Sequence, residues 1–321
     1  MTPAANTTHN VGDIEIVAVI DGFIASKLPA SKPLPDPQSL QWQQQHGMFR
    51  TDGLIESTVG GFLIRTETRL ILVDAGAGQP FSGGYSPPSI DADNPDDPIA
   101  GAWRSRGLRD ELIRQFAADF AQIQVEQGQL PSSLAAAGVR RDDITDVVLT
   151  HLHFDHIGWV SAEGAPFFPH ATIHCAAADL DYFLPGAPEE FTVSRVYQAL
   201  TAPQRLAPVL DRIQTWERDQ TLFAGIDVRL ASGHTPGSSV IVISDGRERA
   251  MLLGDVIHCP LELMDDDFDL IADHDPAMAR RVRNAYAREL EGTDVAIAAA
   301  HFPGLRFGRL LPGNGVRGWT F

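Results

Sequence analysis

Short apolar runs alternate with polar, glycine-rich and proline-rich segments along this chain, and their spacing predicts an alternation of strands and helices. The predicted strands are 14–22, 57–66, 70–78, 144–150, 171–175, 212–216, 225–234, 238–245, 249–255 and 293–301. Helical spacing predicts helices over 108–124, 130–139 and 276–291, with further helical segments between about 176 and 210. The pattern therefore indicates an α/β chain.

Two segments break this alternation. Residues 23–52 are rich in proline and glutamine and predict a long N-terminal loop extension. Residues 79–102 combine prolines, acids and glycines, which excludes a helix interior or a central strand and predicts an inserted loop. We found no change of composition that would divide two domains, so residues 1–321 are interpreted as a single domain with these two loops.

The net charge of the chain narrows the classes of molecule that it is expected to bind. The formal net charge of −17 over 321 residues opposes binding to nucleic acid or to anionic membrane surfaces. The two cysteines, Cys175 and Cys259, are too few for a disulfide framework and are predicted to be buried thiols. Together with the absence of any long apolar run, this predicts a cytoplasmic protein that acts on a small molecule.

Candidate chemistry is concentrated in the sequence "HLHFDH", which follows a predicted strand. Residues two apart on an extended stretch share a face, so His151 and His153 can bind one ion. Asp155 and His156 lie where the chain turns and can face a second ion. Imidazole and carboxylate ligands without thiolate suit Zn²⁺, with Mn²⁺, Fe²⁺ or Co²⁺ as substitutes. The spacing therefore predicts two metal ions per chain.

Three further strands end in a ligand-type residue: His234, Asp255 and His301. If these strands and the one before His151 belong to one sheet, their carboxyl ends bring all of these side chains to one rim, where open α/β sheets commonly bind ligands.

The segments "HLHFDH", "SGHTPG", "LLGD" and "AAHFPG" resemble the signature of the metallo-β-lactamase superfamily. That resemblance implies an αββα sandwich of two mixed β-sheets flanked by helices. It also implies ligand sets: His151, His153 and His234 for the first metal, and Asp155, His156 and His301 for the second, with Asp255 bridging both. In "ILVDAGAG", Asp74 would support the site from outside the ligand set.

Within the superfamily the motifs look most like those of the acyl-homoserine-lactone lactonases, which are quorum-quenching enzymes, and of the methyl-parathion-hydrolase-like enzymes. The resemblance implies a zinc-dependent hydrolase in which a metal-bridging hydroxide attacks an ester carbonyl, most plausibly of a lactone. Arylester or phosphotriester hydrolysis is a secondary expectation. Asp155 would pass a proton to the leaving group. The resemblance also allows a homodimer.

Three alternatives stay open on the sequence. The same scaffold serves iron-dependent oxidoreductases of the persulfide dioxygenase type and thioesterases of the glyoxalase II type. A binding protein in which the ions only hold strand ends together is the alternative outside enzymes.

Substrate-binding residues are harder to predict. The lactonases commonly place a tyrosine three residues after the bridging aspartate, whereas this chain has His258, which could donate a hydrogen bond to the substrate carbonyl. Pocket-lining positions are predicted for four aromatic residues: Trp42, Phe49, Trp159 and Phe302. Residues 79–102 are a candidate lid.

Overall fold

Two β-sheets pack face to face in the computed structural model, and helices cover their outer faces. The structure describes residues 7–27, 44, 49–188, 190–268, 273–313 and 317–321, with the side chains of 191–193 excepted. Three apolar clusters separate the layers: one under the helices of the first sheet, one between the sheets, and one under the helices of the second sheet. This layering is the predicted αββα sandwich.

The first sheet has the strand order β1-β2-β3-β4-β6-β9-β10, and β5 pairs with β2 beside this path. Its strands β1 to β4 are antiparallel, and β4, β6, β9 and β10 are parallel, so the sheet is mixed. The strands are β1 Thr8–Val11, β2 Ile14–Lys27, β3 Leu54–Arg65, β4 Leu70–Val73, β5 Gln124–Glu126, β6 Asp146–Val148, β9 Thr172–Ala176 and β10 Ile213–Trp216.

The second sheet has the order β11-β12-β13-β14-β15, antiparallel except for the parallel pair β14 and β15. Its strands are β11 Gln220–Phe223, β12 Ile226–Leu230, β13 Ser239–Asp245, β14 Glu248–Leu252 and β15 Ala296–Ala298. Two small hairpins complete the described strands: β7 Ser161–Ala162 with β8 Ala165–Pro166, and β16 Arg309–Leu311 with β17 Gly318–Thr320.

The described α-helices are α1 Pro98–Ser105, α2 Asp110–Phe120, α3 Leu130–Ala136, α4 Phe154–Ile157, α5 Ala177–Phe183, α6 Glu190–Tyr197, α7 Ala202–Leu206, α8 Leu261–Met264 and α9 Pro276–Leu290. Short 3₁₀ turns lie at Arg141–Asp143, Ala207–Arg212, Gly254–Val256 and Pro303–Leu305. Among the residues described, no helix has the length and apolar character needed to cross a membrane.

Strand β13 shows how the sequence forms these layers. Successive side chains of a strand point to opposite faces. Ile241 and Ile243 accordingly lie in the cluster between the sheets, whereas Val240 and Val242 lie in the cluster under the helices of the second sheet. Because both faces are buried, the strand is a continuous apolar run rather than an alternating one.

The structure corrects one boundary of each predicted loop. Residues 23–27 belong to β2, because they pair with 54–58 of β3 and, in part, with β5. Residues 98–102 belong to α1, where the Asp97 side chain accepts from the backbone N–H groups of Ile99 and Ala100 and Pro98 occupies the first turn.

Two further predictions were wrong in detail. The predicted helix over 108–124 ends at Phe120, because the chain beyond it becomes β5 and pairs with β2. The predicted ligands also do not come from one sheet. Strand β6 precedes His151 in the first sheet, whereas β12, β14 and β15 precede the other three in the second. The rim therefore lies across the edges of both sheets.

Candidate metal centre

The structure brings together the side chains of His151, His153, His234 and Asp255, within reach of a single ion. Nδ1 of His153 lies 2.9 Å from Nε2 of His151 and 3.0 Å from Nε2 of His234. Oδ2 of Asp255 lies 3.7 Å and 3.5 Å from the same two Nε2 atoms. Three ring nitrogens and a carboxylate oxygen thus face one point.

A second group consists of Asp155, His156 and His301. Nε2 of His301 lies 3.5 Å from an Asp155 oxygen and 3.1 Å from Oδ2 of Asp255. Oδ1 of Asp255 lies 3.3 Å from Nε2 of His156. The Asp255 carboxylate is therefore adjacent to both groups, which is the position that the sequence predicted for a bridging residue.

Local structure explains these positions. After β6 the chain bends at Thr150 and reaches His153, which has extended backbone and precedes the single turn of α4, so that Asp155 and His156 follow on a helical turn. Asp255 lies in the 3₁₀ turn that directly follows β14. The preceding Gly254 has φ of 51°, and a Cβ there would lie 2.7 Å from the Thr150 side chain, so the turn requires glycine.

The outer ring nitrogens of two histidines have hydrogen-bond partners, and that of a third lies beside a carboxylate. Nδ1 of His234 lies 3.0 Å from Asp273 and Nδ1 of His301 lies 3.0 Å from the carbonyl oxygen of Thr58, whereas Nδ1 of His156 lies 3.0 Å from Asp74 without hydrogen-bond geometry. In a neutral imidazole only one nitrogen carries hydrogen. In the neutral form of His234 or His301, donation from Nδ1 leaves the inner Nε2 with its lone pair facing the centre of the group, as in metal-bound histidines.

Asp74, for which the resemblance implies a supporting role, lies next to residues of both ligand groups. Its carboxylate accepts hydrogen bonds from the backbone N–H and the hydroxyl of Thr150, next to His151. The same carboxylate faces His156. Asp74 has φ of 61°, a conformation uncommon for a residue other than glycine, which indicates that its surroundings hold the backbone in this turn.

The histidines of the two ligand groups differ in the direction of their pKa shifts. Burial, followed by the neighbouring histidines, lowers the pKa of His151 and His153 well below the ordinary value, so both rings are neutral and able to bind a cation. Burial also acts to lower the pKa of His156 and His301, but nearby carboxylates, above all Asp255, raise it instead.

The donor set fits divalent cations. Nε2 of His156 and Oδ1 of Asp255 are buried and lack a hydrogen-bond partner among the residues that the structure describes. Such atoms are costly in a protein interior unless an ion or another group satisfies them. Nitrogen and carboxylate donors in two adjacent groups suit two ions of the Zn²⁺ class.

A pocket adjoins the second group, and His301 and His258 form its inner end. Phe49, Ile55, Leu261, Phe268 and Pro303 give the pocket its apolar wall, with Glu56, Ser57 and Cys259 completing the lining. Both cysteines of the chain are buried free thiols, as predicted. Phe49, one of the predicted pocket residues, thus lies in the wall.

The structure places His258 beside Asp255 in the candidate metal centre. Its Nε2 lies 3.5 Å from Oδ2 of Asp255 and has no hydrogen-bond partner. Its backbone N–H donates to Glu262 at 2.6 Å, and its Nδ1 lies 3.3 Å from the same carboxylate oxygen. Burial acts to lower the pKa of His258, but Glu262 and Asp255 raise it to about 10.

Two of the predicted pocket residues lie elsewhere. Trp159 belongs to the cluster under the helices of the first sheet, and its indole N–H donates to the buried Asp21 carboxylate at 2.9 Å. Phe302 is fully buried against Trp319 in the cluster under the second sheet. Both follow a ligand segment in sequence, but their side chains point into the core. Trp42 lies outside the described residues.

Sequence reasoning missed several acids around the site: the buried Asp21, Asp179 and Glu262, and the partly buried Asp273. Most of their hydrogen bonds are to backbone N–H groups or to residues distant in sequence, which leaves no spacing pattern. Glu262 is the exception, because it lies four residues after His258, the spacing at which side chains meet on a helix.

Comparison with known proteins agrees with this geometry. The family model described as the metallo-beta-lactamase superfamily matches residues 61–301. The chain belongs to that superfamily.

Solved structures share the fold over nearly the whole chain. AidC, a dizinc quorum-quenching lactonase solved with a product, is 24% identical, with 98% of this chain and 97% of that chain covered and a TM-score of 0.73. The hydrolase AbOPH is 21% identical, with 99% and 98% covered and a TM-score of 0.72. A probable metal-dependent hydrolase from Staphylococcus aureus is 17% identical, with 97% and 98% covered and a TM-score of 0.68.

Proposed function

We propose that this protein is a dinuclear metal-dependent hydrolase of carboxylic esters, with lactones of the acyl-homoserine type as the leading substrate class. The observation that carries the proposal is the position of Asp255 between two groups of ligand atoms beside an apolar pocket. The similarity in fold to AidC, a lactonase, favours lactones among the esters.

In this proposal His151, His153 and His234 hold one cation, Asp155, His156 and His301 hold the other, and Asp255 contacts both. Two cations of the Zn²⁺ class would supply a water of lowered pKa and would polarise the ester carbonyl. The Asp155 carboxylate, which faces His156 and His301, would take up the proton that the attacking water releases and pass it to the leaving alkoxide.

His258 takes the role of a hydrogen-bond donor to the substrate carbonyl oxygen. Its Nε2 is buried, lacks a partner and belongs to the inner end of the pocket. Glu262 fixes the orientation of the ring through Nδ1 and the backbone N–H. A positioned donor of this kind stabilises the negative charge that develops on the carbonyl oxygen during attack.

The wall of this small cavity, which has room for about one water-sized group, favours an uncharged substrate beside the second ligand group. Five of its lining residues are apolar, and among the described lining residues there is neither arginine nor lysine that could pair with a carboxylate on the substrate. Glu56 adds negative charge at the same wall. An anionic thioester such as a glutathione conjugate therefore fits this wall less well than an uncharged lactone.

The test combines metal analysis with a substrate panel. Purified protein is assayed for metal content and for turnover of acyl-homoserine lactones, simple lactones, aryl esters, a glutathione thioester and a phosphotriester. We expect about two Zn²⁺ per chain and lactone turnover, both lost in Asp255→Ala. A single iron with oxygen consumption and no hydrolysis would contradict the proposal and favour an oxygenase. Bound metal without any turnover would favour a binding protein.

A further inference from the structure

Asp179 is a fully buried carboxylate on α5, outside both ligand groups. Its Oδ1 accepts a hydrogen bond from the backbone N–H of Gly237 at 2.6 Å, and its Oδ2 accepts one from the hydroxyl of Thr235 at 2.9 Å. The backbone N–H of Leu152 also faces the same carboxylate. Burial raises the pKa of Asp179 to about 7, and these three residues oppose that rise.

The three residues lie on the two segments that supply the first ligand group. Leu152 stands between His151 and His153, and Thr235 directly follows His234. These segments are more than eighty residues apart in sequence and come from different sheets. One carboxylate therefore hydrogen-bonds to the segment after His234 and faces the segment between His151 and His153, at the point where their imidazoles converge.

Close packing limits any substitute for this contact. A Cβ at Gly237 would lie 2.7 Å from both the backbone nitrogen of Asp179 and the Cβ of Ala176. The hydroxyl of Ser238 accepts from the backbone N–H of Thr235 at 2.9 Å, which gives the turn after His234 a fixed shape. The segment thus lies directly against the first turn of α5.

The second ligand group has different support. Nδ1 of His156 lies 3.0 Å from a carboxylate oxygen of Asp74, and the carbonyl oxygen of His156 accepts a hydrogen bond from the backbone N–H of Ala75. His301 is held by the carbonyl oxygen of Thr58. These contacts come from the first sheet and do not pass through α5.

We propose that Asp179 is a positioning residue for the first cation, acting through the backbone of the segments that carry His151, His153 and His234. The proposal rests on the proposed function only in that it assumes a cation at each ligand group. Loss of the carboxylate should selectively weaken binding of the first cation. An asparagine amide has only one acceptor oxygen, and its NH₂ group would lie against a donor.

The test measures Zn²⁺ affinity rather than turnover. Apoprotein is reloaded with Zn²⁺ and titrated with a competing chelator, in the unmodified chain and in Asp179→Asn. We expect one Zn²⁺ to bind about 10- to 100-fold more weakly in the variant, as for other residues that orient metal ligands, and the other to be retained. Asp146→Asn is the matched control, because it also changes a buried aspartate, but one that hydrogen-bonds to Arg69, Thr145 and His174 rather than to a ligand segment.

Ligand variants identify the weakened ion. In the Asp179→Asn background, His153→Ala should remove no further Zn²⁺ at a chelator concentration that has already emptied the first group, whereas His301→Ala should remove the remaining ion. Two ions as tight as in the unmodified chain would overturn the proposal. The proposal would also be overturned if both Zn²⁺ ions bound equally more weakly in Asp179→Asn and its loss of thermal stability matched that of Asp146→Asn.

Failure of the proposed function gives a different result. If the unmodified chain binds Zn²⁺ but hydrolyses no ester, the hydrolase assignment fails, and the ratio of Zn²⁺ affinities between Asp179→Asn and the unmodified chain still decides the role of Asp179.

Discussion

Strand β6 has a buried histidine–aspartate cluster near each of its ends, and the two clusters differ in one respect. In the cluster at the first residue of the strand, both oxygens of Asp146 have donors: His174 at 2.9 Å, and Arg69 and Thr145 each at 2.7 Å. In the cluster after the strand, Nδ1 of His153 lies 2.9 Å from Nε2 of His151 and 3.0 Å from Nε2 of His234, and its single hydrogen can serve at most one of these two acceptors.

This difference separates a structural cluster from a ligand site. Each acceptor of the Asp146 cluster faces a donor, so the cluster is complete as a set of hydrogen bonds. In the other cluster the outer nitrogen of His234 already donates to Asp273, and its inner nitrogen can only accept. Lone pairs that face one another in a buried space favour a cation between them. Histidine and aspartate content alone would not distinguish the two ends.

The largest effect that we expect in the following comparisons is on turnover, in His258→Ala. Removal of a single donor to a developing oxyanion typically lowers kcat about 10²- to 10³-fold. The variant should keep both Zn²⁺ ions, because His258 belongs to neither ligand group. Steady-state kinetics on the best lactone of the panel, with metal analysis of the same samples, measures both quantities.

His258→Gln serves as its control. A glutamine amide can also donate a hydrogen bond, so part of the lost kcat should return. If His258→Ala turned over at the normal rate with its metals in place, the donor role would be excluded. If it lost metal, His258 would be supporting the ligands instead.

A smaller effect is expected from Asp74→Asn, which changes the acceptor that faces His156. Asp74 lies beside His156 and also accepts hydrogen bonds from Thr150 next to His151, so both Zn²⁺ ions should bind more weakly, by up to about 10- to 100-fold. Chelator competition measures both affinities directly. Asp179→Asn should weaken only the first ion, and unchanged binding of both ions in Asp74→Asn would contradict a supporting role for Asp74.

Much of the metal centre could be predicted because its signal is local. Four of the seven predicted ligands lie within six positions, and each of the other three closely follows an apolar strand. Strands that end at one rim bring such residues together whichever sheet they belong to. The prediction of a single sheet was therefore wrong without affecting the ligand set.

The supporting residues and the pocket wall could not be predicted in the same way. Asp179 and Asp21 bind mainly backbone N–H groups, which every residue but proline offers, so no side-chain pattern marks their partners. Trp159 was assigned to the pocket because it follows the ligands in sequence. Its direction depends on Asp21, which lies 138 positions away.

The smallest effect on the metal centre is expected at the opposite end of β6, in Asp146→Asn. Burial acts to raise the pKa of Asp146, but hydrogen bonds from His174, Thr145 and Arg69 outweigh it and lower the pKa. Because the pKa of Asp146 is lower in the folded than in the unfolded chain, ionised Asp146 stabilises the fold at pH values above its unfolded-state pKa of about 3.9. This stabilisation is lost as the pH falls through the folded-state pKa.

Asp146→Asn should therefore lower the free energy of unfolding at pH 7 by about 1 kcal/mol, at the low end for bonds to charged groups because Arg69 is partly exposed to solvent. Denaturant titrations of both proteins from pH 7 down to pH 3 measure the difference, which should shrink below about pH 4 as Asp146 becomes protonated in the unmodified chain. Zn²⁺ content and lactone turnover should not change. Loss of Zn²⁺ in this variant would mean that the two ends of β6 are coupled, and that complete hydrogen bonding does not mark the Asp146 cluster as purely structural.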